Sequence, residues 1–138
     1  MKKKFYLDSC IWMDYLGERK NGLRPLEEFA FQLLKKCKKE KTKIIVSDAI
    51  TKELEKYIPK EKIKERLSEF SDLIIEVKHS TEQLSEAKDF WEKNNRKFPE
   101  LDILHAIIAR DENAVLVSRD KHFSEIGITE NFFPEELL

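Results

Sequence analysis

Four acidic residues have the types and placement to work together in this chain: Asp8, Glu53, Asp102 and Asp120. Asp102 is the most informative. It lies in LDILHAIIAR (101–110), an almost wholly apolar helical segment in which a charge is costly unless something pairs with it. On a helical wheel its neighbours are Ala106 and Ala109, which leave room beside the carboxylate, and His105 falls on the next edge. A first-turn acid soon after Pro99 also complements the helix dipole, but that does not account for the small neighbours. Glu53 falls on the edge of an apolar stripe of Ile50, Leu54 and Tyr57, while Glu55 points the opposite way. Asp8 and Asp120 each follow an apolar run, and each also suits the N-cap of a helical stretch that comes after it.

Converging carboxylates cannot all ionise at their ordinary pKa values unless a cation joins them. A hard divalent ion with oxygen ligands, Mg²⁺ or Mn²⁺, is the natural partner. Such ions serve phosphate chemistry, activating water and neutralising charge on a phosphodiester. The cation would then be the partner that Asp102 needs.

The elements that must position these acids are legible as alternating strands and helices. KFYL before Asp8, KIIVS (43–47), LIIEV (73–77) and AVLVS (114–118) are rich in Val, Ile and Leu, as strands buried on both faces should be. Helical stretches are expected at 25–40, 48–57, 60–70, 81–95 and 100–112, with Pro25, Pro59 and Pro99 at or just before helix starts. The tail ITENFFPEELL offers one further short edge strand. This pattern predicts an α/β fold: a three-layer α/β/α sandwich with a mostly parallel central sheet, Rossmann-like, in a single domain over 1–138. Asp8 and Asp120 would then project from carboxyl ends of strands on the same edge of the sheet, where such folds bind ligands. The chain has three Gly and neither GxGxxG nor GxxxxGK[ST], so a dinucleotide or P-loop site is not expected.

The net charge of −1 argues against a protein that coats nucleic acid by bulk positive charge, yet leaves room for a local phosphate-binding patch. Cys10 and Cys37 form neither a disulfide framework nor a metal knuckle and read as reduced thiols in a cytoplasmic protein. No apolar run approaches membrane-spanning length, and MKKKFYLDSC reaches Asp8 too soon for a signal peptide. The lysines of MKKK and KKCKKEKTK (35–43) suit a solvated surface and a helix C-terminus. Arg119, beside Asp120, is placed either to meet a phosphate or to pair with a neighbouring acid. Phe90 and Trp91 read first as core, with a dimer or partner-protein surface as the alternative.

Three segments in order, FYLDSCIWMDYL, IIVSDAITKELEKY and LDILHAIIARDENAVLVSRDKHF, together with the ending FFPEELL, resemble the PIN-domain ribonucleases nearly end to end, particularly the VapC-type toxins of toxin–antitoxin pairs. The resemblance implies a PIN-like fold and an Mg²⁺- or Mn²⁺-dependent endoribonuclease with Asp8, Glu53, Asp102 and Asp120 as its acidic site. By that analogy Asp8 and Asp102 bind metal directly, while Glu53 and Asp120 complete the shell, hold a second ion or position the attacking water. Ser9 and Ser118 would orient carboxylates or contact phosphate, or act as local capping hydroxyls. It also implies an RNA substrate, a cognate antitoxin protein and a homodimer. The chain departs from the family at Cys10, where many members have Asn. It departs again at Lys121 and His122, which occupy the places where a fifth acid often follows; a surface histidine is the simple reading of His122.

Other readings are a PIN-like scaffold that binds protein or RNA without catalysis, and a housekeeping RNA-processing nuclease. A phospho-acceptor receiver domain ranks below both. It would want an acidic pair after the first strand, but Ser9 follows Asp8, and LIIEVKHS offers no acceptor Asp.

Overall fold

A computed structural model describes residues 4–16 and 26–138. Pro25 and the first three residues of MKKK lie outside them. The chain runs β1 (Lys4–Leu7), α1 (Ser9–Tyr15), α2 (Leu26–Glu40), β2 (Ile44–Ser47), α3 (Asp48–Glu55), α4 (Lys60–Ser68), β3 (Ile74–Val77), α5 (Thr81–Lys93), α6 (Glu100–Asp111), β4 (Ala114–Val117), α7 (His122–Ile126) and β5 (Asn131–Phe132). A 3₁₀ turn, Pro134–Leu137, closes it. All pairings in the sheet are parallel, in the order β3-β2-β1-β4-β5. The expected α/β sandwich is therefore present, and the tail supplies β5 as the expected edge strand.

This order creates one switch point. From β1 the chain winds outward to β2 and β3, then returns to the other side of β1 as β4 and β5. Right-handed crossovers put α1–α4 on one face and α5–α6 on the other. Consistent with this, α1 packs on α2 and α3, and α5 packs on α6. At the switch point the two neighbouring strands send their following loops apart, opening a crevice beyond their carboxyl ends. Leu7 is in register with Val117, so Asp8 and the residues after β4 enter that crevice side by side.

The interior strands β2 and β4 are buried throughout, as continuous apolar runs should be. β3 differs from the expectation: it is half-buried, with Glu76 exposed, because it lies at the sheet edge and has a strand on one side only. Among the α6 residues, Ile103 to Ala109 are all buried, His105 included. Gly127 ends α7 at φ +67°, a left-handed cap that glycine adopts without steric cost. No described helix is long and apolar enough to cross a membrane.

Candidate functional site

Asp8 leaves β1 in extended conformation and caps α1, its Oδ1 accepting the Ser9 N–H at 2.8 Å. Capping occupies one oxygen. The other, Oδ2, accepts the Ser118 hydroxyl at 2.9 Å and, more weakly, the Cys10 thiol at 3.4 Å. Burial pushes the Cys10 thiol up to about 12, so it keeps the proton it donates.

Ser118 also accepts the Asp120 N–H at 3.0 Å, so one hydroxyl ties the Asp8 carboxylate to the backbone that carries Asp120. Asp120 Oδ1 in turn accepts the His122 N–H at 2.9 Å, holding the start of α7. If Asp8 ligates a cation, Ser118→Ala should lower activity that needs it about 10–100-fold, the usual effect of deleting a hydrogen-bond partner of a ligand. Ser118→Thr keeps the hydroxyl and should retain most activity, as initial cleavage rates at fixed Mn²⁺ would reveal.

Glu53 sits on α3, whose first turn is capped by Ser47 accepting the Ile50 N–H at 3.2 Å. Its side chain is 25% exposed and reaches across to His105, with Nε2 to Oε1 at 2.6 Å. The wheel that placed Glu53 at the edge of an apolar stripe was right for Ile50 and Leu54, both fully buried, and wrong for Tyr57. Helix α3 ends at Glu55, so Tyr57 has left the spiral and is exposed, and Ile58 is the buried residue there. A groove of about 700 Å³ opens on the other flank of α3, lined by Asp48, Lys52, Glu76 and His79 among others, and includes none of the four acids.

Asp102 lies in the first turn of α6, with Ala106 and Ala109 buried behind it. Its carboxyl is raised from 3.8 to about 6, first by burial and then by the charges of Asp8, Asp120 and Glu53, with His105 opposing. The other three acids therefore all bear on Asp102, and the four share one crevice. Two closer groupings stand out. Ligand atoms of Asp8, Glu53 and His105 lie within 4.8 Å of one another, as do those of Asp102, Asp120 and His122. His105 is fully buried with Nε2 committed to Glu53, which explains its presence in the first group without making it a ligand. His122 is an exposed surface histidine, as expected, and its Nδ1 lies 3.2 Å from Asp120 and 3.8 Å from Asp102.

Among the described residues no Lys or Arg pairs with these four carboxylates. The donor set is oxygen-rich, crowded and without a Lys or Arg partner among the described residues, which fits a hard divalent cation and the displacement of a proton from Asp102 when one binds.

Arg119 does not face the crevice. Its Nε donates to Asp14 at 3.0 Å and its Nη1 to Glu135 at 3.1 Å, and 13% of its side chain is exposed. Of the two roles considered for it, phosphate contact and acid pairing, the structure has the second: Asp14 is fully buried and requires a countercharge. Phe90 and Trp91 pack against the core, with Arg96 over the Trp91 ring at 4.8 Å. Both cysteines are free thiols.

His105 and Tyr6 are the participants that the sequence reading did not assign. His105 was visible as the next edge of the Asp102 wheel, but a histidine on an apolar face is ordinarily core. Nothing local marks the reach of Glu53 across the sheet to it.

Comparison with known proteins agrees with this fold. No curated protein matches the chain in sequence. In three dimensions it is similar to VapBC2 from Rickettsia felis, solved with a promoter DNA fragment, at TM-score 0.69 and 20% identity, covering 94% of this chain and 97% of that one. It is similar to VapC20 from Mycobacterium tuberculosis, a toxin that cleaves the sarcin–ricin loop, at TM-score 0.65 and 13% identity, covering 92% and 98%. FitAcB from Neisseria gonorrhoeae aligns at TM-score 0.63 and 17% identity over 95% and 98%. The PIN domain model matches residues 5–128, a span that holds all four acids and the whole sheet as far as the loop before β5. By this match, and with a fold that agrees, the chain belongs to the PIN domain family.

Proposed function

We propose that this protein is a divalent-cation-dependent endoribonuclease that works as the toxin of a toxin–antitoxin pair. The observation that carries the reading is the convergence of Asp8, Glu53, Asp102 and Asp120 in one crevice with, among the described residues, no Lys or Arg paired to them. Asp8 and Asp102 are the direct ligands, with Glu53 and Asp120 completing the shell; His122 stands beside Asp120 and Asp102. A bound Mg²⁺ or Mn²⁺ supplies an activated water at neutral pH and neutralises charge developing on the phosphodiester. The chain's own work is positioning. Ser118 and the Ser9 N–H hold both oxygens of Asp8, and the buried Ala106 and Ala109 keep the space beside Asp102 clear. RNA as substrate and an antitoxin as partner are supported by the structural neighbours, among them a toxin that cleaves the sarcin–ricin loop and VapBC2. A single cytoplasmic domain over 1–138, acting as a homodimer, completes the reading.

The test is incubation of purified protein with mixed single-stranded and structured RNA in Mg²⁺, Mn²⁺ or EDTA. Cleavage that needs metal supports the reading. Metal-independent cleavage that survives EDTA would overturn it, and intact RNA in every lane would shift weight to a binding scaffold.

A further inference from the structure

Behind Glu53 runs a buried chain of hydrogen bonds that begins and ends on α3. Ser47 Oγ accepts the Ile50 N–H at 3.2 Å and lies 2.7 Å from Tyr6 Oη. Tyr6 Oη is 2.6 Å from His105 Nδ1, and His105 Nε2 is 2.6 Å from Glu53 Oε1. Ser47, Tyr6 and His105 are all fully buried.

With Glu53 ionised and the imidazole neutral, the donors and acceptors of the chain run in one direction. An ionised carboxylate has only acceptors, so His105 Nε2–H donates to Glu53. In that tautomer Nδ1 is an acceptor and takes the Tyr6 hydroxyl proton, which leaves Tyr6 Oη to accept from the Ser47 hydroxyl. Ser47 Oγ, having given its proton, accepts from Ile50 N–H. Each hydroxyl donates once and accepts once, and both imidazole nitrogens are used. A fully satisfied buried network of this kind rigidifies what it joins.

What it joins is the acid-bearing framework. Tyr6 lies on β1 two residues before Asp8, His105 lies on α6 one turn after Asp102, and Ser47 caps α3, which carries Glu53. We infer that His105 is a positioning residue that holds Glu53 by one oxygen and turns the other towards the cation. Tyr6 and Ser47 fix His105 and so lock the elements carrying Asp8, Glu53 and Asp102 in register. This rests on the cation-dependent reading above. It goes beyond that reading in assigning a role to three residues outside the four acids.

The test measures Mn²⁺ binding without RNA, by the electron paramagnetic resonance signal of free Mn²⁺, alongside thermal unfolding in EDTA. His105→Leu fills the space without a donor and should weaken Mn²⁺ binding about 10–100-fold. His105→Gln restores an N–H towards Glu53 and should recover most of that loss. Tyr6→Phe should weaken binding several-fold while the metal-free protein stays folded, and it decides the matter if His105→Leu does not fold. Glu53→Gln reports the direct contribution of the carboxylate. Wild-type Mn²⁺ affinity in His105→Leu or Tyr6→Phe, with Glu53→Gln impaired, would overturn this inference and leave the nuclease reading standing. Equal weakening by His105→Gln and His105→Leu would overturn the hydrogen-bond account. A wild-type protein that binds no Mn²⁺ would remove both.

Discussion

Asp102→Asn is expected to fold more stably than the wild type and to lose metal-dependent cleavage. The carboxyl of Asp102 is raised to about 6, and its ordinary value is 3.8. Burial is the main cause and its three acidic neighbours add to it, as described above. Between about pH 4 and pH 6 the native state therefore holds a proton that the unfolded chain has released. Stability falls as pH rises through that window, and the cost persists above it. The gap of roughly two pKa units corresponds to about 3 kcal/mol when Asp102 is fully ionised. Asparagine keeps the shape and removes that cost, so the variant should gain on the order of 2 kcal/mol at neutral pH without metal. Urea unfolding in EDTA at pH 4.5 and pH 7.5 measures both claims: the wild type should lose stability between them, and Asp102→Asn should lose much less. Adding Mn²⁺ should then raise the stability of the wild type, because a cation that binds only the native state stabilises by mass action. The variant should respond far less. A variant that is destabilised in EDTA yet cleaves RNA normally would remove Asp102 from the site.

Asp8→Asn is expected to abolish cleavage with little change in stability. Its capping oxygen survives the substitution, and asparagine caps helices about as well as aspartate. The oxygen facing the crevice becomes an amide that donates. It would meet the Ser118 hydroxyl, which already accepts the Asp120 N–H, and the Cys10 thiol. Charge and acceptor geometry are lost together, so the fall in activity should exceed the roughly 10–100-fold of an outer-shell change. Cleavage rates for Asp8→Asn and Ser118→Ala, measured beside their melting temperatures, separate the two. Asp8→Asn activity equal to that of Ser118→Ala would mean that Asp8 works through Ser118 and not as a ligand.

The acids were legible because their positions follow from periodicity. Asp8 and Asp120 end apolar runs of strand length, and Asp102 interrupts an apolar helix; each is a local signal. Strand order was less accessible, since nothing in LIIEV distinguishes a central strand from the edge strand that β3 is. Side-chain pairing across the sheet was hidden for a related reason. Arg119 is next to Asp120 in sequence, yet its guanidinium crosses to Asp14, 105 residues earlier. Glu53 and His105 are 52 residues apart, and Tyr6 and His105 are 99 apart. Such contacts depend on how α3, β1 and α6 are stacked, which no wheel or window contains. His122 shows a third limit: the sequence exposed the missing fifth acid, but only the path of the loop after β4 brings the imidazole to 3.2 Å from Asp120.

The most direct test is anomalous diffraction from crystals grown with Mn²⁺. The account predicts a manganese peak in the crevice beyond β1 and β4, bonded to carboxylate oxygens of Asp8 and Asp102 and absent from Asp8→Asn crystals. A protein that takes up no Mn²⁺ there, or binds it outside the four acids, would contradict it.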